Sequence, residues 1–133
     1  MKTPPLWSKV TEEEHQRNLC AWWRLVCKKY GLPERALDHP PNEGLRSAVA
    51  GHRLKQAGMR PGFPDIMLLT KRGGYGMLFI ELKSYYGKPT AAQLEYLAFL
   101  REQGYAACLC VGADAARRCI EDYLAGKEIP ERM

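Results

Sequence analysis

The sequence predicts an α/β fold, a mixed central β-sheet flanked by α-helices, in a single domain spanning residues 1–133. Three observations predict it. Two apolar segments, Asp65 to Thr70 and Met77 to Lys83, flank a glycine-rich turn and read as a β-hairpin. Helical periodicity opens on a capping box twice, at Thr11/Glu14 and at Thr90/Gln93. Strand-like and helix-like segments then follow one another along the chain rather than segregating into halves.

The elements are justified in order. Residues 1–10 carry two prolines and read as an irregular arm. Thr11 starts a helix whose stripe is Leu19, Trp22, Trp23, Val26, Cys27 and Tyr30, and Gly31 with Pro33 ends it. Ala36 to His39 reads as a short strand stopped by Pro40 and Pro41. Gly44 to Ala57 reads as a basic helix closed by Gly58. Gly62-Phe63-Pro64 is a turn into the strand Asp65 to Thr70, and Lys71 to Gly76 turns the chain into Met77 to Lys83. The helix begun at Thr90 is closed by Gly104. Tyr105 to Val111 is a strand, and Ala113 to Ala125 is the last helix, ended by Gly126. Trp22 and Trp23 are adjacent, so one is expected in the core and the other at a subunit interface, where tryptophan is enriched.

Composition excludes several classes. With 46% hydrophobic and 26% charged residues, the chain is neither disordered nor collagen-like. No apolar run approaches the roughly 20 residues that span a membrane, and Met1 to Val10 has no apolar segment of a secretory leader. The five cysteines, Cys20, Cys27, Cys108, Cys110 and Cys119, include no Cys-x-x-Cys pair and read as small buried thiols of a reducing cytoplasm, not as a zinc site. Charge is uneven. Glu43 to Thr90 holds eight basic and three acidic residues, which accounts for the whole net charge of +5. A field that concentrated suits an anionic partner, most commonly nucleic acid.

Two carboxylates stand where carboxylates are costly. Asp65 opens the apolar strand, and Glu81 lies inside Met77-Leu78-Phe79-Ile80-Glu81-Leu82-Lys83. The turn lies midway between them, so the hairpin makes them cross-strand neighbours. Their repulsion calls for a cation. Lys83, two residues on and therefore on the face of Glu81, supplies one in a plain ion trio. A metal supplies it in the functional reading. Oxygen ligands alone, Asp65, Glu81 and the backbone carbonyl of Leu82, suit Mg2+ or Mn2+ better than zinc. Lys83 then faces the scissile phosphate or attacking water.

Pro-Asp, fifteen residues, then Glu-x-Lys matches the PD-(D/E)XK nuclease pattern. Around it, Pro41-Asn42-Glu43-Gly44, Gly51-His52-Arg53-Leu54-Lys55, Gly58, Pro61-Gly62-Phe63-Pro64-Asp65, Gly73-Gly74-Tyr75-Gly76 and Ile80-Glu81-Leu82-Lys83 resemble the VRR-NUC (virus-type replication-repair nuclease) family of that superfamily. The resemblance continues through Thr90, Gln93, Tyr96, Leu100, Gly104 and Tyr105. Pro40-Pro41 ahead of Asn42 and the short hairpin tip depart from the family's pattern.

That resemblance implies a restriction-endonuclease-like core, a stand-alone phage-type member, and metal-dependent DNA hydrolysis with one or two Mg2+ or Mn2+ ions per site. It implies Asp65 and Glu81 as metal ligands, Lys83 as catalytic lysine, and Gln93 and Tyr96 as a Gln-x-x-Tyr element in which Gln93 joins the catalytic set and Tyr96 meets DNA. The family's glutamate on the first helix falls to Glu12, which shares a helical face with Gln16; Glu14 is the capping partner and Glu13 a solvated charge. Arg46, Arg53, Lys55 and Arg60, with only Glu43 for acidic company, read as phosphate contacts, and His52 as a surface residue. Family resemblance further implies a homodimer that resolves four-way junctions in the cytoplasm of a bacterial or phage-infected cell. A monomeric flap or nicking nuclease and a non-catalytic DNA-binding module are the alternatives.

Overall fold

The fold is that of a computed structural model, which describes residues 3–40, 53, 55–58 and 60–133. Four strands form one mixed sheet in chain order: β1 (Leu37–Asp38), β2 (Ile66–Leu68), β3 (Leu78–Lys83) and β4 (Ala106–Val111). The pairs β1–β2 and β2–β3 are antiparallel, and β3–β4 is parallel. Flanking helices described in full are α1 (Glu12–Val26), α2 (Ala91–Glu102), which crosses over between the parallel strands, and α3 (Ala113–Leu124).

The hairpin has the register its turn dictates, Ile66 opposite Ile80 and Leu68 opposite Leu78. One further step along it sets Asp65 opposite Glu81. Strand alternation splits the core in two. Ile66, Leu68, Leu78, Ile80 and Leu82 join Leu19 and Trp23 of α1 and Ile120 and Tyr123 of α3 in one cluster. Phe79, Leu109 and Ala107 pack with Leu97 and Leu100 of α2 in the other. β3 is therefore buried along its whole length, which is why any charge on it is conspicuous.

Both capping boxes form. Thr11 Oγ1 accepts from Glu14 N and Glu14 Oε2 from Thr11 N, each at 3.1 Å. Thr90 and Gln93 repeat the arrangement on α2. Several elements differ from the sequence reading. The N-terminal arm is not irregular throughout: Leu6–Lys9 is a 3-10 turn, because Trp7 packs edge-on against His15 and Tyr85. α1 stops at Val26, and Cys27–Tyr30 tightens into a 3-10 turn that ends on Gly31 in the left-handed region. β1 and β2 are shorter than their apolar segments. Beyond β2, the Thr70 carbonyl is taken by the Tyr123 hydroxyl at 2.7 Å rather than by a neighbouring strand. Trp22 does not stand apart from Trp23. Trp23 is buried, and the half-buried Trp22 packs on the same cluster, since positions about 100° apart can straddle one apolar stripe. Of the basic helix expected over 44–57, residues 53, 55 and 56 are helical and Ala57 is in the turn that follows; residues 44–52 and 54, Arg46 and His52 among them, lie outside the described residues. Among the described residues no helix is long and apolar enough to cross a membrane.

One glycine controls where Asp65 sits. Gly62 has φ +91°, and a Cβ there would lie 2.6 Å from the Ala92 carbonyl oxygen in the first turn of α2. The loop leading to Asp65 is thus pressed against that helix. Phe63 is edge-on to Phe79 and Tyr96, and Pro64 is fully buried. Gly62→Ala combines a forbidden φ with a backbone clash. It is expected to cost about 1–3 kcal/mol, read as a lowered urea midpoint.

Candidate active site

Glu12, Asp65, Glu81 and Lys83 come together at one end of the sheet. Glu12 is the first residue of α1, set there by the Thr11 cap. Asp65 precedes β2, and its Oδ2 accepts from the Leu82 amide at 2.9 Å, a bond that pins the loop to β3. Glu81 and Lys83 follow Phe79 on one face of β3. Lys83 Nζ stands 3.6 Å from Glu12 Oε1 and 3.6 Å from Glu81 Oε2. One carboxylate oxygen from each of Glu12, Asp65 and Glu81 lies within 4.8 Å of the others.

The energetics of this cluster are unfavourable. Glu81 is 1% exposed, and neither of its side-chain oxygens has a hydrogen-bond partner among the described residues. Burial first, and then the Asp65 carboxylate, push its pKa up to about 9 against the pull of Lys83. A buried carboxyl left without hydrogen bonds costs on the order of 1–3 kcal/mol. The lysine offsets part of that cost but is too far for a hydrogen bond to either carboxylate. Three carboxylates whose oxygens converge, one of them orphaned, have the donor chemistry of a hard divalent cation. The residues present therefore fit Mg2+ or Mn2+.

A groove of about 780 Å3 leads to this cluster. Its wall is the face of α1 bearing Glu12, Gln16, Cys20 and Arg24, and His39, Asp65 and Leu82 close it. The four-residue spacing along α1 displays this face in the sequence, although only Glu12 and Gln16 stood out there. His39, exposed just past β1, was not singled out. Gly87 was missed as well: a Cβ there would lie 3.4 Å from Glu12 Oε2 and 2.9 Å from Ser84 Oγ, so the turn after β3 closes on the glutamate. No pattern in the sequence signals that contact.

The other sequence-predicted residues are more dispersed. Gln93 spends its side-chain oxygen on the Thr90 amide at 2.9 Å, which is a helix-capping bond. Tyr96 is half-buried, edge-on to Phe63 at 5.2 Å and packed on the cluster under α2. Arg53, Lys55 and Arg60 are exposed. Of the cysteines, Cys27, Cys108, Cys110 and Cys119 are buried free thiols, as the composition implied, whereas Cys20 is half-buried beside the groove. Cys108, Cys110 and Cys119 also gather their sulfurs within 4.8 Å of one another, a proximity created by packing α3 on β4.

Residues 6–114 match the VRR-NUC domain family. A solved structure described as a VRR_NUC domain protein superposes with a TM-score of 0.77 at 27% identity, covering 92% of this chain and 95% of that one. No curated protein matches the chain at a significant level. The match runs from the turn that carries Trp7 to the start of α3, so it takes in every carboxylate of the cluster and its lysine. The chain belongs to the VRR-NUC family, a nuclease-type domain to which the PD-(D/E)XK arrangement of Asp65, Glu81 and Lys83 conforms.

Proposed function

We propose that this protein is a metal-dependent, structure-selective DNA endonuclease that hydrolyses phosphodiester bonds and resolves four-way junctions as a homodimer. The observation that carries the reading is the orphaned Glu81 carboxylate, held beside Asp65, Glu12 and Lys83. In an inert cluster Glu81 is accommodated only as the neutral acid, its proton shared with Asp65, whereas a divalent cation gives the ionised oxygens a partner. Asp65 and Glu81, with the Leu82 carbonyl and Glu12, would hold Mg2+ or Mn2+, one or two ions per site. When bound, the ion supplies Lewis acidity toward phosphate oxygen and lowers the pKa of water.

The chain's own residues do the rest. Lys83 places a positive charge where the phosphate becomes more anionic, and its near exclusion from water strengthens that interaction. Arg53, Lys55 and Arg60, with Arg46, contact backbone phosphates and orient the strand without reading sequence. Gln93, which caps α2, would join the catalytic set from the first turn of that helix, and Tyr96 would meet DNA one turn further on. A two-fold dimer offers one site to each of two strands at a symmetric junction. The setting is the cytoplasm of a bacterial or phage-infected cell.

The test is cleavage of an immobile four-way junction, a flap, a nicked duplex and a linear duplex, each with Mg2+, Mn2+ or chelator. Wild type is compared with Asp65→Ala. Paired symmetric cuts in the junction, absent in the variant and with chelator, are the expected result. Cutting of the flap alone would point to a monomeric nuclease. Junction binding with no cutting by either protein would leave only a DNA-binding module on the nuclease fold.

A further inference from the structure

His15 is a second buried polar residue that the fold does not satisfy. It lies one turn after Glu12 on the inner face of α1 and is 4% exposed. Its Nδ1 accepts from the Ala113 amide at 3.1 Å. Ala113 is the first residue of α3, and Gly112 before it has no side chain to cap the helix, so an imidazole 98 residues away in sequence serves as the cap. Because Nδ1 accepts, the proton of the neutral ring is on Nε2, which is buried with no hydrogen-bond partner among the described residues. Gly112 in turn donates to the backbone carbonyl of Lys83 at 2.9 Å. Trp7 seals the joint. It is edge-on to His15, and a Cβ on Gly112 would lie 3.2 Å from its ring.

These contacts make one continuous link from α1 through Ala113 and Gly112 to the backbone of Lys83. Building on the nuclease reading above, we propose that His15 is a positioning residue for the active site: as the Nδ1 acceptor for Ala113 it docks the first turn of α1 on the β4–α3 junction and so holds Glu12 against Lys83. A purely structural histidine would need no relation to either residue. Here the same helix turn carries Glu12, and the same loop amide anchors Lys83.

The link works only with a neutral ring. A proton on Nδ1 would face the Ala113 N–H at the positive end of α3 and leave that amide and both ring N–H groups without a partner among the described residues. Burial lowers the His15 pKa below 6.5, although Glu14, Asp114 and Glu12 pull the other way. The unfolded chain therefore takes up this proton before the folded one does. The stabilisation is complete above about pH 6.5 and is lost as pH falls below it, toward the folded-state value.

The experiment compares His15→Leu, which keeps bulk but removes the acceptor, with His15→Asn, whose Oδ1 can replace Nδ1 and does not titrate. Both are read by circular dichroism, Mn2+ affinity, and junction cleavage from pH 5 to 8. His15→Leu is expected to stay folded yet lose roughly 10- to 100-fold in Mn2+ affinity and in kcat, with KM for the junction little changed. His15→Asn is expected to recover most of both and to lack the acid-side fall due to His15. A folded His15→Leu that binds Mn2+ and cuts like wild type would overturn the proposal, as would a His15→Asn as impaired as His15→Leu. If His15→Leu does not fold, His15→Asn decides alone through its pH profile, and a wild-type acid limb there overturns the positioning role. If wild type binds Mn2+ but cuts nothing, the nuclease reading fails while the Mn2+ affinities still decide the role of His15.

Discussion

Glu81→Gln is expected to make the metal-free protein more stable and to reduce metal-dependent DNA cleavage to background. Both effects have one origin. The wild-type carboxyl is buried, its oxygens find no donor among the described residues, and burial with the neighbouring Asp65 pushes its pKa up to about 9 from the ordinary 4.5. The folded protein therefore keeps a proton that the unfolded chain releases across this window. Stability is fully present below about pH 4.5 and falls as pH rises toward 9. Glutamine cannot ionise and escapes that fall. Its advantage should be small at pH 5 and grow by about 1.4 kcal/mol for each further pH unit, to a few kcal/mol near neutrality. Thermal melts in chelator at several pH values measure it. The same substitution removes an anionic ligand from the only carboxylate group on β3, so cleavage is lost. A variant that melted earlier than wild type at pH 8 would mean that Glu81 is paired in a way that contributes net stability.

Lys83→Met separates positive charge from metal binding. Methionine retains much of the length of the stem, which matters because Lys83 is 6% exposed. Loss of the ammonium removes the cation that stands 3.6 Å from both Glu12 and Glu81. If Lys83 acts on the phosphate, kcat falls by about 10²–10³, while Mn2+ still binds to the more negative carboxylates. If the lysine only neutralises Glu81, cleavage persists, and the fall in stability extends to higher pH because the lysine no longer opposes protonation of Glu81. Single-turnover cleavage and Mn2+ titration on one preparation distinguish the two.

Much of this site was legible in the sequence because it rests on local rules. A strand alternates faces every residue, and a short glycine-rich turn centres its hairpin. The pairing of Asp65 with Glu81 follows from those two facts and agrees with the observed register. The capping boxes at Thr11 and Thr90 are equally local, and both form. Trp22 shows that adjacency alone is too coarse to separate core from surface. Adjacent residues on a helix are not on opposite sides, so Trp22 packs partly on the same core as Trp23. Gln93 shows how one motif can satisfy two descriptions, since the residue that matches the family element is also the residue that caps α2.

The sequence by itself determined the α/β class, the central hairpin, the carboxylate pair with its lysine, and the family. The first three depend on spacing along the chain, and the family on its resemblance across several linked motifs. Only the tertiary structure decided that Glu12 reaches Lys83, that Gly62 presses the Asp65 loop onto α2, that His15 caps a helix 98 residues away, and that three cysteines meet under α3. These depend on how helices pack across a sheet. That packing is set by the summed fit of many apolar side chains rather than by a short pattern of neighbours.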